Sequence, residues 1–175
     1  MALTLIKEDG TGRADANAYA AVADGDAYHE GHLYATAWTG ATPDQKAAAL
    51  VMATRVLDAA YQFHGLRSVA GQARQWPRTD CPDPDAGPEA VLAGDAVPPA
   101  VVAATCELGR ELLVADRTAA PPGEGIARQH NADYSETVYS KTDVRPMVPH
   151  LVQALLAKYG QPVTGRPCTL KLQRS

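Results

Sequence analysis

Apolar residues recur every three to four positions in several stretches of the chain, which is the spacing of one face of an α-helix. The clearest stretch runs from Thr42 to Gly65. Thr42 is the expected N-cap, Pro43 suits the first helical position, and Gln45 completes a capping box. Gly65 is the expected stop. The predicted buried face of this helix consists of Ala47, Leu50, Val51, Thr54, Leu57 and Tyr61.

Two later stretches also predict helices. A Pro-Pro pair begins the first of them, which runs to about residue 115 before a segment rich in helix breakers. Residues 145–160 predict a last helix that Gly160 ends. A weaker pattern between residues 15 and 31 predicts a first helix. The inward side chains of the two later helices are predicted to be Val101, Val102, Thr105, Leu108, Leu112 and Leu113, and then Met147, Leu151, Leu155 and Leu156.

Three other segments lack helical periodicity. Residues 66–96 are rich in Pro, Gly and Asp and predict a long surface loop. Residues 125–142 alternate around a turn signal, which predicts a β-hairpin. The proline-containing segment 161–175 predicts an extended C-terminal arm. The predicted fold is therefore mainly α: a small helical bundle with a β-hairpin and an extended C-terminal arm, in which residues 1–160 form the one domain.

Composition narrows the classes of function. The chain has 175 residues, 46% of them hydrophobic, and a formal net charge of −4. A protein that works by neutralising phosphates usually carries a basic excess, so the acidic balance argues against a nucleic-acid binder, although a local basic patch stays possible. No apolar run is long enough for a signal peptide or a membrane span, so no membrane association is expected.

No pattern indicates catalysis or a bound cofactor. The three cysteines are odd in number and form no Cys-x-x-Cys pair, which favours reduced thiols over a zinc site. His29 and His32 have an i, i+3 spacing with a glycine between them, unlike the zinc motif of metalloproteases. Asp80, Asp83 and Asp85 lack the spacing of a calcium loop. We therefore expect no enzyme, no cofactor and no metal.

The segment Arg74-Gln-Trp-Pro-Arg78 is the least ordinary stretch, and it allows two interpretations. In one, Trp76 is a stacking platform for a single strand between two phosphate-binding arginines. In the other, Trp76 packs over the end of the 42–65 helix, Pro77 fixes the chain exit, and both arginines pair with acids on this chain or a neighbour. Few aromatics and an acidic chain favour the second interpretation, in which Arg74, Trp76, Pro77 and Arg78 anchor the loop or a subunit contact.

An ordered series of segments resembles a family of small tailed-phage proteins. The matching pieces are EDGTGRADANAYAAVADGDAYHEG, AAALVMATRVLDAAY, ARQWPR and AVPPAVVAATCELGRELL, which cover roughly the first two thirds of the chain. The family is often labelled DnaT-like single-stranded-DNA-binding. In shape and gene order its members are similar to head–tail connector, or adaptor, proteins.

The resemblance implies a structural protein of the virion neck, assembled in the host cytoplasm. The expected partners are the portal protein, the stopper, head-completion or tail proteins, and further copies of itself in a ring of 12. Double-stranded DNA would pass through the ring without specific recognition. The alternative function, which the label suggests, is a single-stranded-DNA-binding replication protein.

The arm carries three basic residues and no acidic one, and it ends in an alternating stretch. Such a segment is either a frayed end or a strand that docks on another chain. Connector proteins commonly anchor through C-terminal arms, so the resemblance implies a portal-docking role. The residues expected to dock are Arg166, Thr169, Leu170, Lys171, Leu172 and Arg174.

Overall fold

Helices make up the largest regular part of the computed structural model, which describes residues 3–119, 126–129, 137–139 and 145–163. In these residues no helix combines the length and apolar character needed to cross a membrane. The helices are α1 (Val22–Glu30), α2 (Thr36–Thr39), α3 (Pro43–Ala60), α4 (Pro99–Val114) and α5 (His150–Leu156).

The start of α3 confirms the predicted capping box. The Thr42 hydroxyl accepts a hydrogen bond from the Gln45 amide, and the Gln45 side chain accepts one from the Thr42 amide. The end of α3 differs from the prediction, because Tyr61 is already extended. Gly65 instead occupies a turn with φ of +71°, where a Cβ would lie 2.1 Å from the Thr79 carbonyl oxygen. Gly65 therefore allows two backbone segments to approach closely and does not end the helix.

Short antiparallel pairs follow the helices. β1 (Tyr61–Phe63) pairs with β6 (Gly160–Pro162), and β2 (Leu66–Arg67) pairs with β3 (Arg78–Thr79). Where the alternating pattern predicted a hairpin, β4 (Ile126–Gln129) pairs with β5 (Thr137–Tyr139). Because β6 lies within the body, the first residues of the predicted arm are fixed on β1.

The core lies mainly between α3, α4 and α5. Leu57 of α3, Leu108 of α4 and Leu156 of α5 are fully buried in one cluster. A second cluster forms where α1 and α2 meet α4, around Trp38 and Leu50. Gly25 of α1 lies so close to Trp38 that a Cβ would come within 2.3 Å of the indole. The small residue therefore lets α1 approach the ring.

The inward face predicted for the last helix is partly wrong. Met147 is 45% exposed and Leu151 is 51% exposed, whereas Val152 and Leu156 are fully buried. The helix begins only at His150, after Pro149, so Met147 precedes it. A later start changes which side chains share the face that meets the core.

The prediction of a mainly α helical bundle is wrong. Among the described residues, only α3 and α4, of 18 and 16 residues, are long, and the other helices there have nine residues or fewer. A bundle needs several comparable helices that pack along their lengths. Here extended segments supply much of the core: Tyr61, Phe63, Trp76 and Cys81 are all buried outside helices. The architecture is a mixture of helices, irregular chain and small antiparallel sheets.

Candidate functional site

Trp76 lies inside the protein. Its side chain is 0% exposed. The ring meets Phe63 edge-on at a centroid distance of 5.6 Å and Tyr159 at 6.0 Å. The indole Nε1 has no hydrogen-bond partner in the described part of the chain. A buried ring cannot stack on a base without unfolding its surroundings, so Trp76 in this conformation is a core residue.

Arg74 is bound to the body through a polar cluster around Asp58. Its Nη1 lies 3.5 Å from Asp58 Oδ2. The Tyr19 hydroxyl donates to the same carboxylate and accepts from the backbone amides of Gln75 at 2.9 Å and Trp76 at 3.3 Å. Tyr19 thus joins α3 to the segment that carries the tryptophan.

Burial governs the protonation of this cluster. It raises the pKa of Asp58 to about 6, against the opposing effects of the Tyr19 hydrogen bond and the Arg74 charge. Burial, followed by the Asp58 charge, also holds the pKa of Tyr19 well above its usual value. Tyr19 is therefore a neutral hydrogen-bond donor at neutral pH.

Arg78 donates to carbonyl oxygens. Its Nε lies 2.6 Å from the His64 oxygen, and its Nη2 lies 2.6 Å from Gly65 and 3.3 Å from Phe63. Nη1 donates to the Gln75 carbonyl at 3.0 Å. Burial lowers the pKa of Arg78. The fork-shaped guanidinium fastens the strand end to the turn and does not face solvent as a phosphate ligand would.

Sequence reasoning missed Gln72, which closes the same segment. Its Nε2 donates to the carbonyls of Arg74 at 2.8 Å and Pro77 at 3.1 Å. Its Oε1 accepts from the Val69 amide at 2.9 Å. A single amide in an irregular stretch has no periodic signature, so no sequence pattern pointed to it. Together with Gln72, the predicted anchor residues Arg74, Trp76 and Arg78 contact other parts of the same chain.

Glu8 was also missed. Its buried carboxylate accepts the backbone amides of Gly10, Gly12 and Arg13, each at 3.0 Å. Gly10 and Gly12 both have positive φ. The signal in the sequence was the acidic pair Glu8-Asp9 before Gly-Thr-Gly, because a turn that points several amides inward needs an anion. Glu8 fills that position, so this loop has no free place for an external anion.

The described histidines and aspartates that the sequence singled out have other partners or lie apart. His29 Nε2 lies 3.1 Å from the Cys106 carbonyl oxygen, and His32 Nε2 lies 3.7 Å from Glu107 Oε2. Asp85 pairs with Lys158. Across the described ranges, no three His, Cys, Asp or Glu side chains are placed to hold a metal ion.

A groove runs over the outer face of α3, and we call it the α3 groove. It encloses about 490 Å³. Arg55 is its charged lining residue, and it is exposed and makes no hydrogen bond or ion pair with the described residues. Apolar grooves of this kind are typical of protein docking surfaces. Its apolar lining includes Leu3, Val51, Met52, Val56, Ala59 and Met147.

The predicted docking residues of the arm, Arg166, Thr169, Leu170, Lys171, Leu172 and Arg174, lie outside the described residues. The part of the arm that the structure describes ends at Val163, whose amide donates to the Ala60 carbonyl at 2.7 Å. The arm therefore leaves the body beside the end of α3.

A family model described as "Putative DnaT-like ssDNA binding protein" matches residues 3–175. The chain therefore belongs to this family. The description names single-stranded-DNA binding and favours that alternative over a head–tail connector. No curated protein and no solved structure matches the chain.

Proposed function

We propose that this protein is a head–tail connector, or adaptor, of a tailed phage, which forms a ring under the portal and works by binding other proteins. The observation that supports this proposal best is the burial of the Arg74–Arg78 segment. Its tryptophan is enclosed and its arginines are used inside the chain. A distinctive exposed feature of the described residues is the apolar α3 groove, which suits contact with another protein.

The charge balance also supports this function. A formal net charge of −4 disfavours tight binding to DNA phosphates. Such a balance suits a channel wall, along which DNA has to slide without being held. The proposed partners are the portal protein and the stopper, head-completion or tail proteins. The proposed location is the virion neck, after assembly in the host cytoplasm.

The experiment is co-purification with the portal protein encoded in the same genome. A chain truncated after Val163 keeps β6 and the backbone bond to Ala60, so its body should fold. We expect the full chain to bind portal rings and the truncated chain to lose this binding. The control is the full chain with Lys171 and Arg174 changed to Ala, which tests charge alone. Failure of the full chain to bind the portal would refute the connector.

Single-stranded-DNA binding is the second candidate, and the family description favours it. Fluorescence anisotropy with a labelled oligo-dT strand over a salt series tests it. A strand binder gives saturable binding that weakens steeply with salt. If such binding occurs and persists in a folded Trp76→Ala variant, the DNA strand binds to a surface that does not include Trp76. Absence of binding at low salt would exclude this candidate.

A further inference from the structure

We propose that the α3 groove receives Leu33 and Tyr34 from a second copy of this chain. The contact would join two different surfaces of identical subunits. Contacts of this head-to-tail type generate closed rings or open filaments. The inference deepens the proposed function, and it depends on that function only for closure into a ring.

Leu33 and Tyr34 form an apolar tip between α1 and α2. Leu33 is 89% exposed and Tyr34 is 77% exposed, while Ala35 and Trp38 just after them are buried. The Tyr34 amide donates to His32 Nδ1 at 3.1 Å. The tip therefore projects from a fixed base. Adjacent large apolar side chains at this exposure are a usual mark of a binding site.

The α3 groove has the size and chemistry to take this tip. Its volume of about 490 Å³ leaves room for more than one side chain. Met52 and Ala59 are exposed along it, with buried Val51 and Val56 beneath. For such an apolar surface, contact with apolar side chains is lower in free energy than contact with water. Met52 also has the flexible, unbranched chain that adapts to a partner.

The tip and the groove lie on different parts of the molecule. α1 and α2 pack against α4, which lies on the core side of α3. The groove lies on the face of α3 that carries Met52 and Ala59, and these are on the opposite side of the helix from Leu57 in the core. One chain cannot place its own rigid tip there. A second copy can, and a third copy can then occupy the groove of that second copy.

Charge complementarity selects the second copy as the occupant. Glu30, at the end of α1 and close to the tip in sequence, is exposed and makes no ion pair in the described part of the chain. Arg55 in the groove is likewise exposed and unpaired among the described residues. Insertion of the tip would bring an unpaired acid toward an unpaired base. The groove thus offers a positive charge to the negative charge beside the tip.

Directed disulfide formation tests the contact. Leu33→Cys is placed in one chain and Met52→Cys in a second chain of different tagged size, both with Cys168→Ser. The other two cysteines, Cys81 and Cys106, are buried. We expect a mixed-size disulfide dimer under mild oxidation. The control partner carries Glu89→Cys, at an exposed site away from the groove, and should give at least about fivefold less product. Equal yields from the two partners, or no mixed product, would overturn the proposal.

Charge reversal supplies a second readout. In this assay, Glu30→Arg alone and Arg55→Glu alone should each lower the yield about fivefold, the effect of an ion pair worth about 1 kcal/mol. Combining both reversals should restore the disulfide yield to within about twofold of the yield without charge reversal. A double variant no better than the single ones would also refute the pairing.

Portal binding by the full chain separates the two proposals. If mixed disulfides form but the full chain does not bind the portal, the self-contact is supported and the connector function is refuted. If the full chain binds the portal but no mixed disulfides form, the connector function is supported and the self-contact is refuted.

Discussion

Removal of Trp76 tests whether its segment is an internal anchor. The side chain is wholly enclosed and packs against Phe63 and Tyr159. Trp76→Ala deletes the largest aromatic from this cluster and leaves a cavity, and such a truncation costs about 3–5 kcal/mol. In a domain of this size each kcal/mol lowers Tm by about 2–4 °C. We therefore expect Tm to fall by about 6–20 °C.

Trp76→Phe is the matched variant. The indole Nε1 has no partner in the described part of the chain, so replacing it sacrifices no known hydrogen bond. A buried donor without a partner costs about 1–3 kcal/mol, and relief of that cost should offset part of the lost ring contact. Trp76→Phe should thus be clearly more stable than Trp76→Ala.

Far-UV circular dichroism during urea unfolding measures both variants, because it does not depend on the deleted fluorophore. In the wild type, the tryptophan emission, which comes from Trp76 and the equally buried Trp38, should resist quenching by iodide and by oligo-dT. The reasoning would be refuted if Trp76→Ala unfolded like the wild type and lost only DNA binding. That outcome would identify Trp76 as a stacking platform.

Three further substitutions test separate parts of the account. Asp58 has a folded pKa of about 6, above its unfolded value, so its contribution to stability is full below about pH 4 and is lost as pH rises through 6. Urea titrations across this pH range should therefore show the free energy of unfolding falling by about 2–3 kcal/mol in the wild type but not in Asp58→Asn. Gly25→Ala should destabilise the fold through its clash with Trp38, whereas Gly31→Ala, with open space around it, should change the melting temperature little. Arg78→Lys loses the forked contacts to backbone carbonyls and should lower the free energy of unfolding by about 2–3 kcal/mol, measured at fixed pH.

Local signals in the sequence determined the two long helices. The capping box of α3 depends on residues three apart, and the start of α4 depends on adjacent prolines. Such contacts form between near neighbours, whatever the rest of the chain does. Periodicity also placed Leu50, Leu57 and Leu108 correctly in the core. Caps and periodicity are properties of a few consecutive residues, so they can be read directly.

Only the tertiary structure decided what the Arg74–Arg78 segment does. Tyr19 comes from before α1, Asp58 from the last turns of α3, and Tyr159 from the region after α5. No spacing in the sequence relates these residues. The mixed architecture was also unpredictable, because strands of two or three residues have too few positions to show alternation. Composition favoured a packed Trp76, but the side chains that enclose it, Phe63 and Tyr159, come together only when the chain has folded.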